Sequence, residues 1–211
     1  MAEQQMETAP DSSLKILKKL QPQNINGAYN NALYALLMSQ ALDKNENKVE
    51  SDSLISIATD YFDASDPVHA GYAWFYHSRT ANNRDSVSEQ ANNLLKAQEY
   101  AVIINDYKLM GLIYGDKGTM YKTQRQVDSS ICYFKLAYQS FKAINDSRNC
   151  IISLLNLGTQ YLKVPSFDNA INSYTLAEKM AEHSNDTLII STIYRCLGSV
   201  YLKQEPTVSV S

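Results

Sequence analysis

Glycine, proline, cysteine and tryptophan are all scarce in this chain of 211 residues, and each scarcity removes a class of protein. Seven Gly and five Pro leave long stretches without a backbone breaker, a composition that suits helices. The three cysteines, Cys132, Cys150 and Cys196, are odd in number and share no CxxC or Cys/His spacing. They build neither a disulfide framework nor a zinc site and read as small core fillers. With Trp74 as the one tryptophan, flat aromatic platforms for sugars are few. A formal charge of -3, with both signs mixed along the chain, offers no basic face to a phosphate backbone, so nucleic acid is not an expected partner. No run approaches the ~20 apolar residues of a membrane helix, and residues 1–10 are polar without an apolar core. No membrane contact is expected from this segment. Its location is open, cytoplasmic by default.

What is abundant is regularity. Gly118, Gly158 and Gly198 lie 40 residues apart, as do Tyr121, Tyr161 and Tyr201, and as do Tyr114, Leu154 and Tyr194. Asp66, Asp106, Asp146 and Asp186 follow the same step, and so do Ala97, Ala137 and Ala177. Interleaved ladders with one period are the signature of a repeat array.

One unit is clearest from Asp146 onward. The aspartate can cap a helix, and Ile151, Leu154, Leu155, Leu157, Tyr161 and Leu162 then recur at helical spacing. Val164, Pro165 and Ser166 break that helix, and a second begins near Phe167, with Ala170, Ile171, Tyr174, Ala177 and Met180 on one side. Each unit is therefore a helical hairpin. The spacing predicts a flexible N-terminus over 1–10, a lone helix over 11–20 and divergent hairpins over 26–62 and 67–104. Clear hairpins follow over 107–144 and 147–183, then an unpaired half-repeat over 187–203 and a tail over 204–211. Residues 11–203 are read as one array. Leu188, Ile189, Ile193 and Leu197 are expected to leave an apolar face on the last helix, covered by a further part of a longer protein or by a second copy in a homodimer.

These residues resemble the tetratricopeptide repeat family. Leu154, Gly158 and Tyr161, with Tyr114, Gly118, Tyr121 and Tyr194, Gly198, Tyr201, fit its first helix. Ala170, Tyr174 and Ala177, and more loosely Ser130, Phe134 and Ala137, fit its second. Trp74, Ser78 and Ala81 depart from the pattern, and Tyr34, Met38 and Ala41 depart further. The resemblance implies an all-α, right-handed superhelical solenoid of antiparallel hairpins, with the first helices lining an inner groove. Mapped by the period, the groove positions are Tyr72, Phe75, Arg79 and Asn82, then Leu112, Gly115, Thr119 and Lys122. They continue with Ile152, Leu155, Thr159 and Leu162, and with Thr192, Arg195, Ser199 and Leu202. Such a mixed apolar and polar strip suits a peptide with apolar anchors. The Lys and Asn clamp by which some relatives hold a terminal carboxylate is not matched at Gly115, Thr119, Leu155 and Thr159.

Signs of catalysis are few. His69 and His77 are eight residues apart, two helical turns, and no carboxylate or cysteine is expected to complete a ligand set with them. Gly111, Gly115 and Gly118 lack the Gly-Lys-Ser/Thr ending of a phosphate loop, and no nucleophile elbow is present. No enzyme activity, cofactor or metal is expected. The N-terminal helix, the degenerate first hairpin and the run 51–57 followed by Asp60 and Tyr61 are similar to the sensor arrays of Bacteroidetes-type regulatory proteins. In those, the array commonly precedes a membrane helix and a signalling or DNA-binding part, which implies a longer parent and a cell-envelope location. The alternatives are an assembly scaffold joining two proteins, and a glycan-capturing envelope protein.

Overall fold

The computed structural model describes residues 2–182 and 186–204, and among the described residues the regular elements are all helical. They are α1 (Ala2–Gln5), α2 (Pro10–Lys19), a 3₁₀ turn at Pro22–Asn24, α3 (Ala28–Lys44), α4 (Ile55–Phe62), α5 (Pro67–Asn83) and α6 (Val87–Ile103). Then come α7 (Tyr107–Thr123), α8 (Val127–Ala143), α9 (Ser147–Tyr161), α10 (Phe167–Ala181) and α11 (Thr187–Gln204). The fold class is all-α, of the helical-repeat kind, with helices packed on their chain neighbours. His183 and the end of the hairpin at 183, like the tail beyond Gln204, lie outside the described residues.

From Pro67 onward the helices start every 20 residues, so the 40-residue ladder is a doubled helical step. Helices α5, α6, α7 and α8 are each 17 residues long. Three residues join consecutive members, and the middle one is left-handed: Asp85, Asn105, Arg125 and Asn145 have φ between 54° and 59°. The residue after it turns its N–H back into the closing helix. Ser86 donates to the Ala81 carbonyl, Asp106 to Ala101, Gln126 to Tyr121 and Asp146 to Phe141, at 2.9 to 3.0 Å. Each helix thus ends in the same reversed turn, which satisfies carbonyls that the helix leaves free.

The aspartate ladder supplies the matching starts. Asp66 Oδ1 accepts from the N–H groups of Val68 and His69, Asp106 from Leu109, Asp146 from Asn149 and Asp186 from Ile189. Capping of this kind contributes about 0.5 to 2 kcal/mol per helix.

The chain divides into two compact units, residues 1–109 and 110–211. Repeat packing is local, so a ladder continuous in sequence need not gather into one core. In the first unit α5 packs on α3, α4 and α6, and α2 packs on α1 and α3. The flexible N-terminus expected over 1–10 is instead helical at Ala2–Gln5, and α2 begins at Pro10. The cause is Met6, which is 2% exposed and joins Leu14, Leu17, Met38 and Ala41 in one apolar cluster. A single buried methionine within a polar stretch carries no periodicity from which to foresee it.

In the second unit the glycine ladder has a concrete role. A Cβ built on Gly118 would lie 2.7 Å from the Phe134 ring, and one on Gly158 would collide with Tyr174. Ser130 repeats the close approach, its Oγ donating to the Gly118 carbonyl at 2.8 Å. Each aromatic of the second helix is pressed onto the bare backbone of the first. Burial of one such ring stabilises by about 1.5 to 3 kcal/mol.

The last helix differs from its expected form. Ile193 and Leu197 are buried, and Ile189 packs against the same cluster, together with Leu154, Tyr174 and Val200. Of the four residues expected to stay open, Leu188 alone does so, at 75% exposure. The side of α11 that remains accessible carries Tyr194, Tyr201 and Leu202 instead. Helix α11 uses its Ile193 face on α10 and α9, and its two ladder tyrosines have no described helix to pack beneath.

Candidate binding surfaces

In the first unit Tyr72, one of the groove positions, does border an open depression of about 190 Å³. Its other walls are Met6, Glu7, Leu36, Leu37, Gln40, Val68 and His69, with Glu3 at the rim. The Tyr72 hydroxyl donates to Asp106 Oδ2 at 2.9 Å. Burial first, and then the Asp106 carboxylate, push the Tyr72 pKa far up, so the phenol stays a donor. Across the depression the Glu7 carboxylate takes Lys108 Nζ at 2.8 Å and Lys44 Nζ at 3.2 Å. Burial raises the Glu7 pKa, but the hydrogen bond from Lys108 and the two ammonium charges outweigh it, and the net shift is downward.

The other positions mapped to this groove fare differently. Phe75 is 4% exposed, because α5 is enclosed by three helices and that side faces inward. Arg79 Nε holds Asp43 Oδ1 at 2.9 Å, so the guanidinium is engaged within the fold. Asn82 is exposed near the end of α5. Of the four, Tyr72 alone lines the depression.

On α5 the fold brings together a cluster that sequence spacing had not joined. His77 Nε2 lies 3.6 Å from Asp52 Oδ1 and 3.9 Å from Glu89 Oε1, so two carboxylates do approach it. The three offer ligand atoms within 4.8 Å of one another, a set that could hold a metal ion. Arg84 already bridges both acids, at 2.5 Å to Asp52 and 2.6 Å to Glu89. Its guanidinium supplies the positive charge the acids require, and the cluster reads as an ion-pair knot fastening the loop before α4 to α5 and α6. Asp52 lies in that loop, far from His77 in sequence, which is why spacing did not reveal the pair.

In the second unit a depression of about 170 Å³ runs between α7 and α9. Gly111, Leu112, Gly115, Asp116 and Thr119 form one wall and Ile152, Ser153 and Asn156 the other, with Phe134 and Phe141 at the floor. Four of the groove positions therefore meet here: Leu112, Gly115, Thr119 and Ile152. Gly115 matters through what it leaves open, for apart from its own helix backbone and chain neighbours nothing described lies within 4 Å of where its Cβ would be. Lys122 does not line the depression, but its Nζ donates to Asn156 Oδ1 at 3.3 Å. Leu155 is half-buried and packs against the Ile151, Leu154 and Ile193 cluster, as does Leu162. Thr159 is exposed, with its hydroxyl 3.2 Å from that of Tyr174. Arg195 and Ser199 are exposed on α11, where Ser199 Oγ is turned back onto the Cys196 carbonyl.

The cysteines occupy three settings: Cys132 exposed, Cys150 buried and Cys196 between. Burial pushes the thiols of Cys150 and Cys196 up, away from the reactive thiolate form. Among the described residues no helix is long and apolar enough to cross a membrane.

No protein-family model matches the chain, and no curated protein matches it in sequence. Among solved structures it is similar to BtubC (BKLC) from P. vanneervenii, with a TM-score of 0.70 and 15% identity over 95% of this chain and 83% of that one. At that identity the likeness is one of fold.

Proposed function

We propose that the chain is a non-catalytic, protein- or peptide-binding array of the tetratricopeptide-repeat kind, the interaction part of a bacterial regulatory protein. The observation that carries this reading is the depression between α7 and α9. Its walls come from equivalent register positions of successive first helices, and they mix apolar Leu112 and Ile152 with polar Thr119 and Asn156. An open surface built this way offers a peptide side-chain contacts and hydrogen-bonding groups without enclosing a small molecule. Selection from a displayed peptide library tests it. The unaltered chain should retain a defined sequence class, and Ile152→Asp or Thr119→Asp, both at exposed positions, should abolish retention while leaving the melting transition in place. Absence of selected peptides, or retention indifferent to both changes, would refute the reading.

A second reading, an assembly scaffold, has one observation in its favour. Leu95, Val102 and Ile103 share a side of α6 and are 52%, 58% and 69% exposed. If that strip carries association, Val102→Glu should remove it and Ile152→Asp should not.

A further inference from the structure

We propose that the face shared by α2, α3, α5 and the first turn of α7 is a docking site for a peptide in which an apolar side chain is followed directly by a carboxylate, and that residues 2–9 occupy this site in cis. The proposal rests on the peptide-binding reading above and supplies the ligand chemistry and regulation of one surface.

The seated segment shows what the site recognises. Met6 enters the apolar cluster of Leu14, Leu17, Met38 and Ala41, with Tyr34, Leu37 and Leu54 at its edge. The next residue, Glu7, engages three groups with its carboxylate: Lys108 Nζ, Lys44 Nζ and, at 3.5 Å, Gln40 Nε2. Two ammonium groups from different helices converge on one acid. Beyond the Met6 and Glu7 contacts the segment is held locally: helix α1 is four residues long, and Ser13 Oγ donates to the Ala2 carbonyl at 2.8 Å. A four-residue helix has little stability of its own. The surface beside Met6 and Glu7 stays open as the depression reaching Tyr72 and His69, so a longer ligand has room to continue along α5.

A tethered segment competes at an effective concentration in the millimolar range, so a weak cis contact suffices to exclude a free peptide of similar sequence. The site is therefore closed by default and opened by a ligand of better fit or by removal of the segment.

The test uses the full chain and a labelled peptide with the sequence of residues 1–9, followed by fluorescence anisotropy. Met6→Ser with Glu7→Ala vacates the site, and this variant should bind the peptide at least ten-fold more tightly than the unaltered chain. Adding Lys108→Glu to the vacated chain, or Glu7→Gln to the peptide, should weaken that binding by a further ten-fold or so. Equal binding by the vacated and unaltered chains overturns the proposal. So does a vacated chain that keeps its helical circular dichroism and ignores the peptide, and so does one that loses its fold, since Met6 would then be core and not ligand. A chain that selects library peptides through Ile152 yet fails here defeats this inference alone.

Discussion

The ring of Tyr174 occupies the space that a side chain at Gly158 would need, while the equivalent space at Gly198 is open among the described residues. Two glycines at the same rung of one ladder thus have opposite surroundings. Tyr174 is 1% exposed and pinned by the neighbouring helices, so it cannot yield. Gly158→Ala should destabilise by about 1 to 3 kcal/mol through overpacking. Gly198→Ala should stabilise by about 0.5 to 1 kcal/mol, because alanine loses less chain entropy in a helix. Urea unfolding of both variants checks the pair, and the same sign for both would contradict the packing.

Arg125 holds φ at 59° in an exposed turn, a conformation that costs a residue with a Cβ about 1 to 2 kcal/mol. Arg125→Gly relieves that cost and returns about 0.5 to 1 kcal/mol to the unfolded chain's entropy. The net expectation is a gain of about 0.5 to 1 kcal/mol in thermal or denaturant unfolding. Asn105→Gly should gain less, because asparagine tolerates the left-handed region. An Arg125→Gly chain less stable than its parent would show that the arginine side chain matters more than its backbone.

His77 lies face to face with Trp74, ring centroids 5.6 Å apart, and its side chain is 13% exposed. Burial lowers its pKa more than the carboxylates of Asp52 and Glu89 raise it, and the Arg84 charge adds to the lowering. Below the ordinary value of about 6.5 the unfolded chain takes up a proton that the folded chain resists. Stability from this group is complete above that value and declines as pH falls from it toward the lowered folded value. Asp66 and Glu7, whose folded pKa values are depressed, add a separate loss further into acid, below the usual carboxylate range. Denaturant midpoints measured from pH 7.5 down to 5 should fall less steeply in His77→Gln than in the parent. Parallel slopes would mean that the folded state accepts the proton as readily as the unfolded one.

How far the sequence carried the fold depends on what each residue signals. Asp66, Asp106, Asp146 and Asp186 marked helix starts because a cap needs a short acceptor, and each does accept from the helix it opens. Gly118 and Gly158 marked close approach because no other residue leaves room for Phe134 and Tyr174. The finer 20-residue step was hidden because the left-handed turns use Asp, Asn, Arg and Asn, which share no side-chain signature. The binding surfaces were legible only in part. Period alone placed Phe75 and Leu155 beside Tyr72 and Thr119, but the number of helices around each position decides whether a side chain meets solvent. Around α5 stand α3, α4 and α6, and Leu109 of α7 reaches Gly71 as well. Glu7, Lys44 and Lys108 meet through the fold of a whole unit, and nothing local to any of them announces it.

That meeting has a kinetic consequence. Nearly all the packing around it joins residues within one or two helical steps, so those loops close cheaply and early. The contact between Glu7 and Lys108 spans roughly a hundred residues and needs α3, α5 and the start of α7 to be in place first. During synthesis the N-terminal segment emerges long before Lys108 does, and for that interval Met6 can settle on α2 and α3 while the Glu7 carboxylate still lacks its second ammonium partner.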